Sequence, residues 1–264
     1  MSVQADPWES GNPYEFFMGR WSRPVSHKFL EWLSMIEHQR WLDVGCGTGA
    51  LSSSILEMTA PQEVLAVDAS DSFIAFAQQT YQDPRLRFQV ADARKLPTET
   101  GSFDVVVSGL ALNFIPMPLV ALTEMVRTTR PGGVVAVYVW DYAKKMQMLR
   151  YFWDAAMAMD PLAKELDEGE RFPLCQPAAL EALFQEVGLK NVEVRAIDGP
   201  TIFRDFEDYW SPFLGGQGPA PGYVKSLSDE QRKELAERLR ARLPVRSDGT
   251  IALIARAWAV RGVV

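Results

Sequence analysis

Cysteine and histidine are scarce in this chain, with two of each among 264 residues. Cys46 and Cys175 make no disulfide framework, and neither they nor His27 and His38 fall into the spacing of a metal cluster. Positive charge is also in deficit: 27 Lys and Arg stand against 34 Asp and Glu, for a net charge of −7. That balance denies the chain the basic face a phosphate backbone needs, which excludes a nucleic-acid partner. The basic residues from Lys225 to Arg246 are interleaved with acids at helical spacing, as on a solvated face. No apolar run approaches the length of a membrane span, so no membrane partner is expected. The polar, acidic start from Met1 to Gly11 has no apolar core of a secretory signal, and the expected location is cytoplasmic. What is present is an ordinary globular composition, 47% hydrophobic and 23% charged, long enough to bury a sizeable single core.

The most informative stretch runs Trp41-Leu-Asp-Val-Gly-Cys-Gly-Thr-Gly49. An apolar strand ends at an acid, Asp43, and a GxGxG loop leads into a helix-like segment from Ala50 to Met58. Glycines 45, 47 and 49 let the backbone turn sharply and let a ligand approach with no Cβ in the way. Cys46 contributes its backbone to this loop. A second acid, Asp68, closes the next apolar run, about 20 residues beyond the glycines, where a carboxylate accepts from ribose hydroxyls. An acid there can equally cap the helix that follows it. The two features together favour a nucleotide-type ligand without a 2′-phosphate.

Strands and helices alternate around these motifs. Strands are predicted at 40–44, 63–68, 86–91, 103–108 and 133–140, and helices at 49–59, 70–81 and 117–129. The strands are near-continuous apolar runs, such as Val105-Val-Val107, as buried parallel strands require. Pro131-Gly-Gly133 reads as a stop and turn. Upstream, Tyr14 to Ile36 has helical spacing broken at Pro24. Downstream, residues 141–176 are rich in methionine and aromatics, and 203–242 is helical with a Gly215-Gly-Gln-Gly-Pro219 loop. The helix predicted over 177–187, an alternating strand at 192–197 and a closing strand at 250–260 complete the pattern.

In its motifs the chain resembles the class I S-adenosylmethionine-dependent methyltransferases, within the small-molecule branch that includes the ubiquinone and menaquinone-biosynthesis enzymes. The resemblance rests on Leu42 to Gly49, Val67-Asp-Ala-Ser70, Ala91-Asp-Ala-Arg-Lys-Leu-Pro97, Phe103-Asp-Val-Val-Val-Ser108 and Arg130-Pro-Gly-Gly133, in order over roughly residues 40–140. Tyr14 to Ser22 and Gly249 to Gly262 match more loosely. It implies an α/β fold: a doubly wound, seven-stranded, mostly parallel, Rossmann-like sheet with its last strand antiparallel and helical cap insertions. The expected organisation is one methyltransferase domain over 1–264, with an N-terminal helical lid at 12–38, a cofactor-binding half at 39–140 and cap insertions at 141–176 and 203–242. The implied activity is methyl transfer from S-adenosylmethionine to a small acceptor by in-line displacement, and the aromatic density of the cap (Trp140, Tyr142, Phe152, Trp153, Trp210, Phe213) points to an aromatic or apolar one.

The resemblance also implies a set of cofactor contacts. Asp43 belongs near the methionine end, Gly45, Cys46, Gly47 and Gly49 form the loop, and Asp68 with Ala69 takes the ribose. Asp92 accepts from the adenine amine while the Ala93 amide reads a ring nitrogen, and Ser108 and Leu110 line the cofactor. Tyr14 and Arg20 are placed over it, Arg20 as partner of its carboxylate, with pairing to a surface acid as the alternative. Asn113, Phe114, Trp140, Tyr142 and Trp153 are candidates for the acceptor pocket. No metal is implied. No general base is identified; His27, Tyr138, Asp141 and Tyr142 are candidates, and none is assigned. Two rivals stay open: a nicotinamide-dinucleotide oxidoreductase, whose fingerprint would put its third glycine at Ala50, and a non-catalytic S-adenosylmethionine binder.

Overall fold

The computed structural model describes residues 18–215 and 218–264, which leaves Tyr14 and part of the Gly215–Pro219 loop outside the described residues. Seven strands form one sheet: β1 (Arg40–Val44), β2 (Glu63–Asp68), β3 (Leu86–Val90), β4 (Phe103–Gly109), β5 (Thr129–Trp140), β6 (Lys190–Phe203) and β7 (Ile251–Val263). Their order is β3-β2-β1-β4-β5-β7-β6. The pairs β1–β2, β2–β3, β1–β4 and β4–β5 are parallel, and β5–β7 is antiparallel. This is the expected doubly wound α/β sheet. The helices are α1 (Arg20–Leu33), α2 (Ala50–Thr59), α3 (Asp71–Thr80), α4 (Pro118–Thr128), α5 (Gln147–Met159), α6 (Glu168–Arg171), α7 (Pro177–Glu186), α8 (Phe206–Trp210), α9 (Pro219–Ser226) and α10 (Asp229–Arg242).

The strand order follows from burial. Trp41, Leu42 and Val44 of β1 and Val105, Val106 and Val107 of β4 are fully buried, so these two strands take the centre. From β1 the chain builds outward through β2 to β3, then returns to lay β4 against the other side of β1. The order therefore reverses between β1 and β4, and the segments leaving their carboxyl ends are where an α/β sheet receives ligands.

Strand β7 runs on to Val263, past the expected 260, and three further elements differ from the sequence-based expectation. Helix α1 runs through Pro24 rather than breaking there. Pro24 lies one turn from the helix start, so only the bond to the Arg20 carbonyl is forgone. Strand β5 begins at Thr129, and the Pro-Gly-Gly stretch is a bulge within it: Phe103 and Val105 of β4 pair with Thr129 and Val134 of β5. Strand β6 extends to Phe203 through Gly199-Pro200. A missing N–H is tolerated there because β6 ends the sheet.

The chain divides into two compact units. One holds Ser22–Trp140, Leu174–Ile197 and Ala257–Val264 and so carries most of the sheet. Its helix α1 packs on α2 through a Ser26–Ser54 hydroxyl pair at 2.6 Å, and Phe29 of α1 lies 4.6 Å from the ring of Tyr138 in β5. The other holds Asp141–Pro173, Asp198–Arg256 and the residues up to Trp21. Its core is aromatic: Phe152 of α5 stacks on Phe213 with centroids 4.6 Å apart, and Tyr209 of α8 donates to the Met148 carbonyl at 2.9 Å. Helix α10 starts with a capping box between Ser228 and Gln231.

Candidate cofactor site

The three loop glycines after β1 all have positive φ, at 75°, 52° and 88° for Gly45, Gly47 and Gly49. Their surroundings differ. A Cβ on Gly45 would stand 2.5 Å from the Ala111 Cβ, and one on Gly49 would stand 2.8 Å from the Tyr81 ring. A Cβ on Gly47 would meet nothing within 4 Å, so bare backbone faces open space at that residue alone of the three. Gly45 and Gly49 therefore serve packing, and Gly47 leaves room for a ligand.

Asp68 staples this loop. Its Oδ2 accepts from the Gly47 amide at 2.9 Å and its Oδ1 from the Ser70 amide at 2.9 Å. Burial pushes its carboxyl above the usual range, and these amides oppose the shift. Asp68 does not cap α3, because Ser70 holds that position and accepts from the Phe73 amide. Each Asp68 oxygen still has a lone pair to offer a hydroxyl.

Asp43 is more deeply placed. It is fully buried, its Oδ2 accepts from the Ser52 hydroxyl at 2.6 Å, and its Oδ1 has no partner. Burial pushes its carboxyl up to about 7, with the Ser52 hydrogen bond opposing and the charge of Asp68 adding. Asp43 does not hold the glycine loop. The amides of Gly45 and Cys46 go to the Val67 carbonyl, that of Gly47 to Asp68 and that of Gly49 to the Cys46 carbonyl. An orphaned buried carboxylate oxygen beside an open loop fits a cationic group and opposes a pyrophosphate. Burial also pushes the Cys46 thiol well up, with both acids adding, which keeps it protonated and poor as a nucleophile.

Farther along the sheet edge, Asp92 follows β3. It accepts from the Arg94 amide at 2.9 Å and pairs with the Arg94 guanidinium at 2.6 Å, which holds its carboxyl down at about 2. Asp92 is thus a half-exposed, permanently ionised acceptor, with Ala93 buried beside it. At the end of β4, Ser108 Oγ is buried without a partner. A Cβ on Gly109 would lie 2.6 Å from the Tyr138 hydroxyl, so this glycine admits the tyrosine. Leu110 then takes a left-handed φ of 59°, held by its amide's 2.8 Å bond to the Tyr138 carbonyl.

The remaining candidates have partners of their own. Arg20 pairs with Asp208 at 3.0 Å and donates to the Ile202 carbonyl at 3.0 Å, so any bond to a cofactor carboxylate is made alongside that ion pair. Among the described residues its acidic partner is Asp208. Trp153 is fully buried with its indole N–H on Glu168 at 2.5 Å, Trp140 is buried within β5, and Tyr142 is buried 5.9 Å from the Phe172 ring. Trp153 and Trp140 are packing residues in this conformation. His27 faces Glu57 at 3.7 Å on an exposed surface. The roles of Ser52, Tyr81 and the Tyr138 contact with Gly109 have no signature in the sequence, because each reaches its partner only through the fold.

Comparison with known proteins gives the family. A family model described as a methyltransferase domain matches residues 42–137. A demethylmenaquinone methyltransferase of Staphylococcus aureus (strain JH9) is 30% identical over 170 residues, which span 60% of this chain and 70% of that protein. The YcgJ protein from Bacillus subtilis shares the fold with a TM-score of 0.60 at 17% identity, covering 91% of this chain and 97% of that one. A Haemonchus contortus phosphoethanolamine N-methyltransferase 2, solved with S-adenosylmethionine, gives 0.59 at 18% identity, over 95% of this chain and 56% of that one. The chain belongs to the class I S-adenosylmethionine-dependent methyltransferases. It is an enzyme, and S-adenosylmethionine is its cofactor.

Proposed function

We propose that the enzyme methylates a small aromatic or apolar acceptor, and that the cofactor lies along the sheet edge from the glycine loop to Leu110. The observation that carries this reading is the open backbone at Gly47, flanked by the orphaned Asp43 oxygen and the loop-bound Asp68. Asp43 would face the cofactor's cationic end and Asp68 with Ala69 its ribose. Asp92 and Ala93 would read the adenine, with Ser108 and Leu110 against the rest. When bound, S-adenosylmethionine supplies a methyl group on a sulfonium, a leaving group that is already activated. The protein's share is then alignment and exclusion of water, and a strong base is not required. Half-buried Phe114 offers apolar surface for the acceptor, and the Staphylococcus aureus relative acts, by its name, on demethylmenaquinone.

Methyl-labelled S-adenosylmethionine incubated with a panel of phenols, quinols, heterocycles and aliphatic amines tests the acceptor class. Label is expected on ring-bearing acceptors. Transfer confined to aliphatic amines such as phosphoethanolamine would overturn it.

Asp68→Ala tests the ribose assignment. Loss of hydrogen bonds to a charged acceptor is expected to weaken S-adenosylhomocysteine binding by about 1.5–3 kcal/mol. Thermal stability should also fall, since the Gly47 and Ser70 amides lose their partner. Calorimetry showing wild-type affinity in the folded variant would remove Asp68 from the site.

A further inference from the structure

Helix α2 carries three consecutive serines, Ser52, Ser53 and Ser54, all buried. A serine hydroxyl inside a helix ordinarily donates to a carbonyl one turn back. Ser53 and Ser54 do so, both to the Ala50 carbonyl, at 3.1 and 2.9 Å. Ser52 does not. Its hydroxyl crosses to β1 and donates to Asp43 Oδ2 at 2.6 Å, with both residues fully buried. For the helix alone, alanine would serve better at this position, since it has the higher propensity and no hydroxyl to satisfy. The Ser52 hydroxyl therefore answers to Asp43 and not to α2.

With Oδ2 engaged, Oδ1 is the oxygen left without a partner. The titratable groups facing Asp43 are Asp68, at the end of the adjoining β2, and the Cys46 thiol on the loop. The facing run of β4, Val105 to Val107, has none, and the first turn of α2 holds no acid. Burial and the charge of Asp68 both favour the protonated carboxyl. What opposes them is Ser52, through its hydroxyl and its own amide.

We propose that Ser52 is a positioning residue for cofactor binding: its hydroxyl fixes Asp43 with Oδ1 offered to the cofactor's cationic group, and so sets the pH range over which the enzyme takes up its cofactor. This rests on the placement of that group at Asp43 given above. Ser52 acts only through Asp43.

The test uses Ser52→Ala in the full chain, which removes the hydroxyl and keeps the amide. Losing a hydrogen bond to the charged form is expected to move the ionisation of Asp43 up by about one pH unit. Calorimetry with S-adenosylhomocysteine should then show the variant about fivefold weaker than wild type at about pH 7 and within about twofold at about pH 9, where both carboxyls are ionised. In the ligand-free protein the gap in melting temperature between wild type and Ser52→Ala should widen from about pH 5 to about pH 8, because the variant goes on losing stability until its higher folded value is passed. In an Asp43→Asn background that gap should not change with pH. An affinity ratio that is the same at every pH, while wild-type affinity itself follows pH through Asp43, overturns the role of Ser52 and leaves the cofactor placement standing. A melting gap that changes with pH even in Asp43→Asn overturns the role as well, since Ser52 then acts on another group. A gap that widens as expected, beside a cofactor affinity indifferent to the substitution, overturns the placement of the cationic group at Asp43 and the proposal with it.

Discussion

Gly47→Val is expected to raise the dissociation constant for S-adenosylhomocysteine by at least about 100-fold while the protein stays folded. The three loop glycines make this a controlled comparison. At Gly45 or Gly49 an added Cβ would strike Ala111 or Tyr81, so loss of binding there would be confounded with damage to the packing. At Gly47 there is nothing within 4 Å to strike, and the new side chain projects into the space assigned to the ligand. The residue's φ of 52° makes a β-branched side chain strained, at a cost of order 1–3 kcal/mol, which is a few degrees of melting temperature rather than unfolding. Calorimetry and a melting curve on the same sample decide the matter. Wild-type affinity in the valine variant would mean that the loop only turns the chain.

The second large effect is a pH dependence set by Asp43. Its carboxyl is raised by burial from an ordinary 3.8 to about 7. Between those values the folded protein holds a proton that the unfolded chain has released, so stability falls as pH rises from about 4 to about 7 and levels off above. The loss amounts to about 4 kcal/mol, at about 1.4 kcal/mol for each tenfold difference in proton affinity between the folded and unfolded chain. Asp68 is displaced in the same direction and adds to the trend. Asp43→Asn should remove most of this slope and make the free protein more stable than wild type at about pH 8. It should also lose much of its cofactor affinity, because the group proposed to face the cofactor's cationic end is then neutral. In the wild type, a cation bound near Asp43 favours the ionised carboxyl. Affinity for S-adenosylhomocysteine should therefore rise from about pH 6 to about pH 8, with proton release seen by calorimetry in buffers of different ionisation enthalpy. The same slope in Asp43→Asn would place the titrating group elsewhere.

Much of the cofactor half is legible in the chain because its signals are local. A glycine that needs positive φ, an acid ending an apolar run and a valine triplet buried on both faces all announce themselves within a few residues. The expected bounds of β2 match those observed, and α2, α3, β3, β4 and α4 agree to within a residue at each end. Where structure and expectation part, tertiary context outweighs a local signal. Pro24 is tolerated near a helix start, Pro131-Gly132 is absorbed as a bulge against β4, and Gly199-Pro200 is carried by an outer strand.

The sequence by itself determined that this chain builds an α/β sheet with a glycine loop and three acids at or just past successive strand ends, because strand period, turn chemistry and spacing act over short range. Only the tertiary structure decided what those acids do. Asp68 is the staple of the loop, Asp43 is the buried carboxyl with an unpartnered oxygen, and Asp92 is held ionised by Arg94. It also decided that Trp153 is packing and that the Asn113 amide is left unsatisfied. Burial and hydrogen-bond satisfaction depend on which distant segments arrive around a side chain, and no pattern along the chain records that.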